Sequence, residues 1–454
     1  MRNPLLVPDL RELIRAGESP ALVDFFQGMH PARVGEILDD LGPGDGDAVV
    51  GLLPPRGRAE VMSYIGPEDQ ARLVEAMAPG DVAELLHFMA HDDRANLVRR
   101  LEPEFVEPIL RKLAHAERED IRRLASYEPG TAGAVMTTDY ATLAPELTAR
   151  DALDRLRREA PDRETIDTSY VVGPDHRLIG QVSLKRLILA PPMARVERIM
   201  EHEPAFARVD EDQEEVVHKI GRYDLIAIPV VDADDRLVGI VTHDDALDIQ
   251  RRAQTEDLLA FGGVTTEPGA DDAPYWQGSV TSVVRRRIKW LAMLFFAEGL
   301  TGSVLRHYQH VETRLPDLAL FVPLLIGTGG NAGSQTVGTI IRALSLGEVH
   351  PRDAYRVLVR EWLTALLLGL LLGALGFFYA MLIRRESAAF AAVIGLTILG
   401  ICLWANTIGA LVPLLARKFG IDPAVVSAPL ITTLVDATGL VIYYSIAITL
   451  LLHR

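Results

Sequence analysis

Large apolar residues return along the first quarter of the chain on a beat of 12 positions. Blocks starting at His30, Gly42, Pro54, Gly66, Ala78, Ala90 and Glu102 end on Leu41, Leu53, Ile65, Met77, Met89, Leu101 and Leu113. Six carry proline in second place: Pro31, Pro43, Pro55, Pro67, Pro79 and Pro103; His91 takes that place in the sixth block. Proline suits the first turn of a helix, where its missing N–H has no partner to lose. Each block predicts a short helix and a tight turn. Units of this size bury no apolar face alone, so they are expected to stack into an all-α superhelix. After Pro129, Gly130 and Gly133 the pattern changes. Tyr170-Val-Val, a polar turn, and Leu178 to Ile188 match Ile228-Pro-Val-Val, a polar turn, and Leu237 to Leu247. Strand, turn, strand, helix is predicted twice.

Arg251 to Thr266 reads as a helix, strongly charged in its first half, ending at Gly262-Gly263. After Arg285-Arg-Arg-Ile-Lys289 come five apolar segments, near Trp290–Leu305, Leu318–Leu344, Val357–Ile383, Ala388–Leu415 and Val425–Leu452. A membrane-spanning helix needs about 20 apolar residues. The third and fifth meet that clearly, and the first is expected to reach back toward Ser279. Gly, Asn, Ser and Thr interrupt the second and fourth, as in helices that line something polar. The expected division is 1–130, a helical N-terminal domain; 131–250, the paired α/β units; 251–278, a connecting helix and linker; and 279–454, a five-helix membrane domain.

Charge sharpens this division. From Trp290 onward there are 9 acids against 11 bases; before it, 53 against 35, within a total of −16. So acidic a soluble part argues against a nucleic acid partner and for cation binding or repulsion. Arg342, Arg352, Arg356, Arg360, Arg417 and Lys418 border the apolar segments on one side; Arg384 and Arg385 weakly oppose them. The positive-inside rule places the acidic part in the cytosol and the C-terminus outside a plasma (inner) membrane. The N-terminus lacks an apolar h-region, so the first membrane helix is expected to serve as the insertion signal. The one cysteine, Cys402, supports neither a disulfide framework nor a cysteine metal site. No HExxH, GxSxG or GxxxxGK[ST] pattern appears, so an enzyme is not expected.

The chemistry gathers in the membrane segments. Asp436 lies near the middle of the fifth, where a carboxylate costs ~2.5–3.5 kcal/mol and marks an ion path by default. No basic residue sits mid-segment to pair with it. Thr432, Thr433 and Asp436 share a helix side and suit a hard cation. Gly327, Gly329, Gly330 and Gly333 permit either close helix approach or carbonyl ligation. Asn331 and Gln335 share a face. Asn406, Gly409 and Pro413 mark the fourth segment.

These runs resemble the MgtE family of magnesium channels and transporters: Gly329-Gly-Asn-Ala-Gly-Ser-Gln335, Asn406-x-x-Gly409-x-x-x-Pro413, Asp422-Pro-Ala with Ser427-x-Pro429, and Thr432-Thr-x-x-Asp436-x-x-Gly439. Glu128-Pro-Gly-Thr-Ala-Gly133 and Met136-Thr-Thr also match, as does the order of parts. The paired units, from about Val135 to Gln250, resemble a tandem CBS (Bateman) module. Such modules often bind ATP or another adenine nucleotide, and the ribose-linked Ser/Thr-x-x-Asp feature stands once, at Thr242 and Asp245; Arg186 takes the Asp place in the first unit. The resemblance implies a homodimer with Asp436 lining its pore beside Asn331, Thr432, Thr433, Gly329, Gly330, Gln335 and Asn406. It also implies regulatory Mg²⁺ at Asp92, Asp93, Asp212, Glu214, Asp224, Asp244, Asp245, Asp248, Glu256 and Asp257. Glu298 and Thr328 depart from the family pattern.

The mechanism expected is a Mg²⁺ path closed by intracellular Mg²⁺ bridging acidic surfaces. The alternative is a CBS-regulated carrier or exchanger of Co²⁺, Ni²⁺, Mn²⁺ or Zn²⁺; hard oxygen ligands favour Mg²⁺.

Overall fold

A computed structural model describes residues 6–42, 44–265 and 279–452. Pro43 and Thr266 thus fall outside the described residues. The chain divides into two compact units, Met1–Ala253 and Gln254–Arg454.

The first unit begins with ten helices: α1 Val7–Ala16, α2 Ser19–Phe26, α3 Pro31–Leu41, α4 Asp45–Leu52, α5 Pro55–Met62, α6 Pro67–Ala76, α7 Pro79–Phe88, α8 His91–Arg100, α9 Pro103–Leu110 and α10 His115–Ala125. Helices α3 to α9 are the seven predicted blocks. Five open on their proline, and α8 opens on His91. Alternate helices pack together, α3 on α5, α5 on α7 and α7 on α9. The block-ending Leu41, Ile65, Met89 and Leu101 are buried in a continuous core. A unit of one short helix acquires an inside only through its neighbours.

The α/β pair follows. One sheet is β1 Tyr140–Leu143, β2 Thr165–Val172, β3 Leu178–Ser183 and β4 Glu201–His202; the other is β5 Ala207–Arg208, β6 Ala227–Val231 and β7 Leu237–Thr242. α11 Ala132–Val135 leads into them, and α12 Ala149–Glu159, α13 Leu184–Leu189, α14 Val196–Ile199 and α15 Gln213–Arg222 run between strands. The antiparallel pairs β2–β3 and β6–β7 set Tyr170 opposite Gln181 and Pro229 opposite Ile240. Tyr170 and Tyr140 join the halves by donating to Ala227 O and Leu237 O at 3.2 and 3.1 Å.

Helix α16 spans His243–Phe261 without a break. The sequence reading started a separate helix at Arg251; instead it is the helix of the second α/β unit, prolonged across the division between units. It ends as expected: Gly263, at φ 71, and Val264 return N–H groups to Ala260 O and Leu259 O. Glycine takes that left-handed turn without a Cβ penalty.

In the second unit lie α17 Val280–Arg314, α18 Val322–Ser345, α19 Ala354–Phe378, α20 Ala388–Lys418 and α21 Ala428–Ala447. Ser279 caps α17, accepting from Ser282 N–H. Four of the five are long and apolar enough to cross a membrane; α18 is not. Its glycines and polar residues lower its hydropathy, and it packs instead against α20 and α21. A Cβ on Gly329 would lie 2.6 Å from Ile401 Cγ2 and 2.8 Å from Val435 Cγ1, and one on Gly333 2.9 Å from Ile431 Cγ2. Close approach, rather than a broken helix offering carbonyls, is what these glycines serve, since α18 is regular throughout. Gly373 and Gly395 bring α19 onto α20: a Cβ on Gly373 would meet Gly395 O at 2.7 Å. The Gly369–Gly373 face of α19 is thus occupied within the chain, by Leu399 and Gly395.

Candidate ion path and acidic junction

Asp436 is half-buried on α21, and its Oδ1 is buried without a hydrogen-bond partner. The charge that bears on it is another carboxylate, Glu298 of α17. Two acids with no cation between them among the described residues form a site short of positive charge, which a divalent cation supplies. Thr432 and Thr433 each donate to Pro429 O, at 2.8 and 3.0 Å. Their hydroxyl protons are spent inside the helix, leaving lone pairs as the chemistry on offer. A Cβ on Gly330 would stand 3.2 Å from Thr432 Cγ2 and 3.8 Å from Asp436 Oδ1, so Gly330 lets α18 approach the carboxylate.

Asn331 and Gln335, with Asn406, line a cavity between α18, α19 and α20. Its floor contains a residue the sequence reading passed over: Glu361 of α19, which accepts from Asn406 Nδ2 at 3.0 Å. Asn406 Oδ1 is buried and unpartnered. The candidate pore residues therefore fall into two groups, Gly330, Thr432 and Asp436 in one and Asn331, Gln335 and Asn406 in the other.

The end of α16 meets the membrane helices. Phe261 packs where a Cβ on Gly338 would lie 3.3 Å from its Cζ. Asp257 accepts from Ser345 Oγ at 3.1 Å. Burial, with Asp422 nearby, holds Asp257 above the usual carboxylate range against that hydrogen bond. Trp290 Nε1 donates to Ser427 Oγ at 3.1 Å. Glu256 is exposed.

In the first unit, Asp92 and Asp93 sit in the first turn of α8, opposite the start of α16. Burial raises Asp92 well above its ordinary value, and Asp245, Asp93 and Glu164 push the same way. Asp93 accepts from the Ser63 hydroxyl yet is also raised, by burial and then by Asp248 and Asp244, against the help of Arg252. Asp245 is pushed up to about 7, chiefly by burial, then by Asp244, Asp93 and Glu164, although Thr242 Oγ1 donates to it at 2.6 Å. Glu164, absent from the sequence reading, belongs to this group and is raised for the same reasons. Charge surplus of this kind fits a bound divalent cation. Among the described residues no three His, Cys, Asp or Glu groups surround one point as a cage. Mg²⁺ does not require one, since it commonly takes one or two carboxylates and keeps its waters.

Asp212 lies elsewhere: it caps α15, accepting from Glu214 N–H at 2.8 Å. Glu214 and Asp224 are exposed, Asp224 at φ 51. The structure does not join these three to the α8–α16 group. His91 completes the junction between Asp120 and Asp139, at 2.9 and 3.0 Å.

Comparison with known proteins agrees with this layout. The divalent cation transporter model, MgtE, matches residues 322–446; the MgtE intracellular N domain matches 29–130; and the CBS domain matches 132–192 and 196–252. The magnesium transporter MgtE of Thermus thermophilus is 40% identical over 332 residues, 73% of this chain and 72% of that one. The MgtE of Enterococcus faecalis is 34% identical over 72% and 71%. A crystal structure of the cytosolic domain of the Mg²⁺ channel MgtE in complex with ATP superposes with TM-score 0.52 at 37% identity, covering 54% of this chain and all, 100%, of that one. The soluble part of a magnesium transporter superposes at 0.50 and 29%, covering 54% and 97%. With this order of domains and this degree of identity, the chain belongs to the MgtE family of divalent cation transporters.

Proposed function

We propose that the chain carries Mg²⁺ across the plasma (inner) membrane as a homodimer, with its N-terminal domains in the cytosol, its C-terminus outside and Asp436 lining the path. The observation that carries the reading is the Asp436 carboxylate: mid-helix, with a buried unpartnered oxygen and Glu298 as its charged neighbour. Mg²⁺ sheds water reluctantly, so fixed carboxylates and hydroxyl lone pairs hold it with its waters in place. The magnesium transporters to which the chain is similar support the choice of ion. Reconstitution into liposomes tests it: Mg²⁺ should enter, and Asp436→Ala should stop it. Entry of Co²⁺ or Ni²⁺ in preference to Mg²⁺ would overturn the choice of ion.

The acidic group at α8, Glu164 and α16 is the proposed sensor. Bridging by intracellular Mg²⁺ stabilises the compact arrangement, and only that differential affinity can shift a gate. Helix α16 is the connecting (plug) element, because its far end seats Phe261 against α18. The cytosolic domain of an MgtE channel crystallised with ATP supports adenine nucleotide at Thr242 and Asp245. Asp245 also belongs to the acidic group, so nucleotide and cation address one carboxylate. ATP titration with and without Mg²⁺, read on Asp245→Asn, tests that sharing.

A further inference from the structure

The cavity holding Asn331, Gln335 and Asn406 measures about 910 Å³ and carries a second chemistry at one end. There Arg342, Arg356 and Arg360 face it together with Glu348, Asp353 and Glu361. The acids are otherwise engaged. Glu348 lies 3.9 Å from Arg342, Asp353 accepts from His350 N–H at 3.1 Å, and Glu361 is held by Asn406. Among the described residues, neither Arg356 nor Arg360 has a carboxylate within ion-pair distance. The same two arginines border a groove of about 450 Å³ along the outer side of α19, with Tyr355, Val359, Leu363 and Leu367. Those four side chains are exposed, Tyr355 at 79% and Leu367 at 64%. A pair of unspent guanidiniums, a polar recess and an apolar trough leading away along a membrane helix make an amphiphile-shaped site.

We infer that Arg356 and Arg360 seat the phosphate of an anionic phospholipid whose acyl chain lies along Val359, Leu363 and Leu367. Guanidinium matches phosphate oxygens in a planar fork. These arginines stand at the membrane side that the positive-inside rule gives to the cytosol, the leaflet rich in anionic lipid. Neither arginine belongs to the Asp436 site or the acidic group, so the lipid assignment is tested apart from them; only its choice of leaflet rests on the proposed orientation.

Native mass spectrometry of the full chain, equilibrated with phosphatidylglycerol or phosphatidylcholine, tests the assignment. The native protein should retain phosphatidylglycerol on the order of tenfold better. Arg356→Ala/Arg360→Ala should lose that preference, and Arg356→Lys/Arg360→Lys should keep part of it. The lysine pair also covers the case in which the alanine pair fails to fold. Equal retention of both lipids would overturn the inference. So would displacement of the lipid by millimolar inorganic phosphate, which would mark a free-anion site. A change of oligomeric state in the alanine pair with lipid preference intact would assign the groove to a second copy instead.

Discussion

At the residue scale, carboxylates crowded by other carboxylates mark the two candidate sites: Asp436 beside Glu298, and Asp245 beside Asp244, Asp93 and Glu164. In the membrane, Asp436→Asn keeps the size and removes the charge. Mg²⁺ flux into liposomes should fall more than about tenfold with folding unchanged, because the field that holds the hydrated ion is gone. Glu298→Gln should alter flux less, since Glu298 bears on the site only through its charge on Asp436. In the first unit, burial and the carboxylates around it push Asp245 up to about 7 from an ordinary value near 3.8. The compact junction therefore binds more protons than the unfolded chain between roughly pH 4 and 7. Its stability is fullest at the acid end and declines as pH rises through 7. Without Mg²⁺, limited proteolysis should cut this unit faster at pH 8 than at pH 5.5, and Mg²⁺ should remove the difference. The reverse order would contradict the raised value. Asp436 was legible because an acid inside an apolar run stands out. Glu361 was not, because Arg360 beside it made it look like the border of a segment. Glu164 is ordinary in sequence; only the fold sets it against α8 and α16.

At the scale of the element, the proline beat announced seven helices because proline is tolerated in one register only, the first turn. Where α16 begins was hidden, since His243 to Gln250 reads equally well as the close of an α/β unit. Gly338→Leu should drive a side chain into the place of Phe261. Overpacking of this kind costs ~1–3 kcal/mol, enough to raise the open fraction roughly tenfold at a fixed internal Mg²⁺. Flux curves against internal Mg²⁺ would show the shift; an unchanged midpoint would remove Phe261 from the gate. The glycines of α19 teach the limit of pattern reading. A small-residue face says that a neighbour comes close and not which one. Here it is α20, so Gly373→Val should lower the melting temperature while leaving the oligomeric state, read by light scattering, as it was.

For the whole molecule, the asymmetry of charge is the organising fact: an acidic unit of alternating helices and paired sheets, and an apolar unit of five helices. Changing Asp92, Asp93, Asp245 and Asp257 together to alanine should leave the path open at internal Mg²⁺ that shuts the native chain. A variant that closes more readily would mean that repulsion alone opens it. Helix α17 adds a dependence of another kind. It is 35 residues long, yet its apolar run between Lys289 and Arg306 spans only roughly 24 Å. The hydrocarbon layer of a bilayer is ~30 Å thick. Arg285, Arg286, Arg287 and Lys289 at one end and Arg306 at the other must then reach outward, or the membrane must thin around them. Glu298 rides on this helix and Asp436 does not. Lipid thickness thus sets the relative height of the two carboxylates, and in phosphatidylcholines of increasing acyl length the flux should fall as the layer outgrows α17.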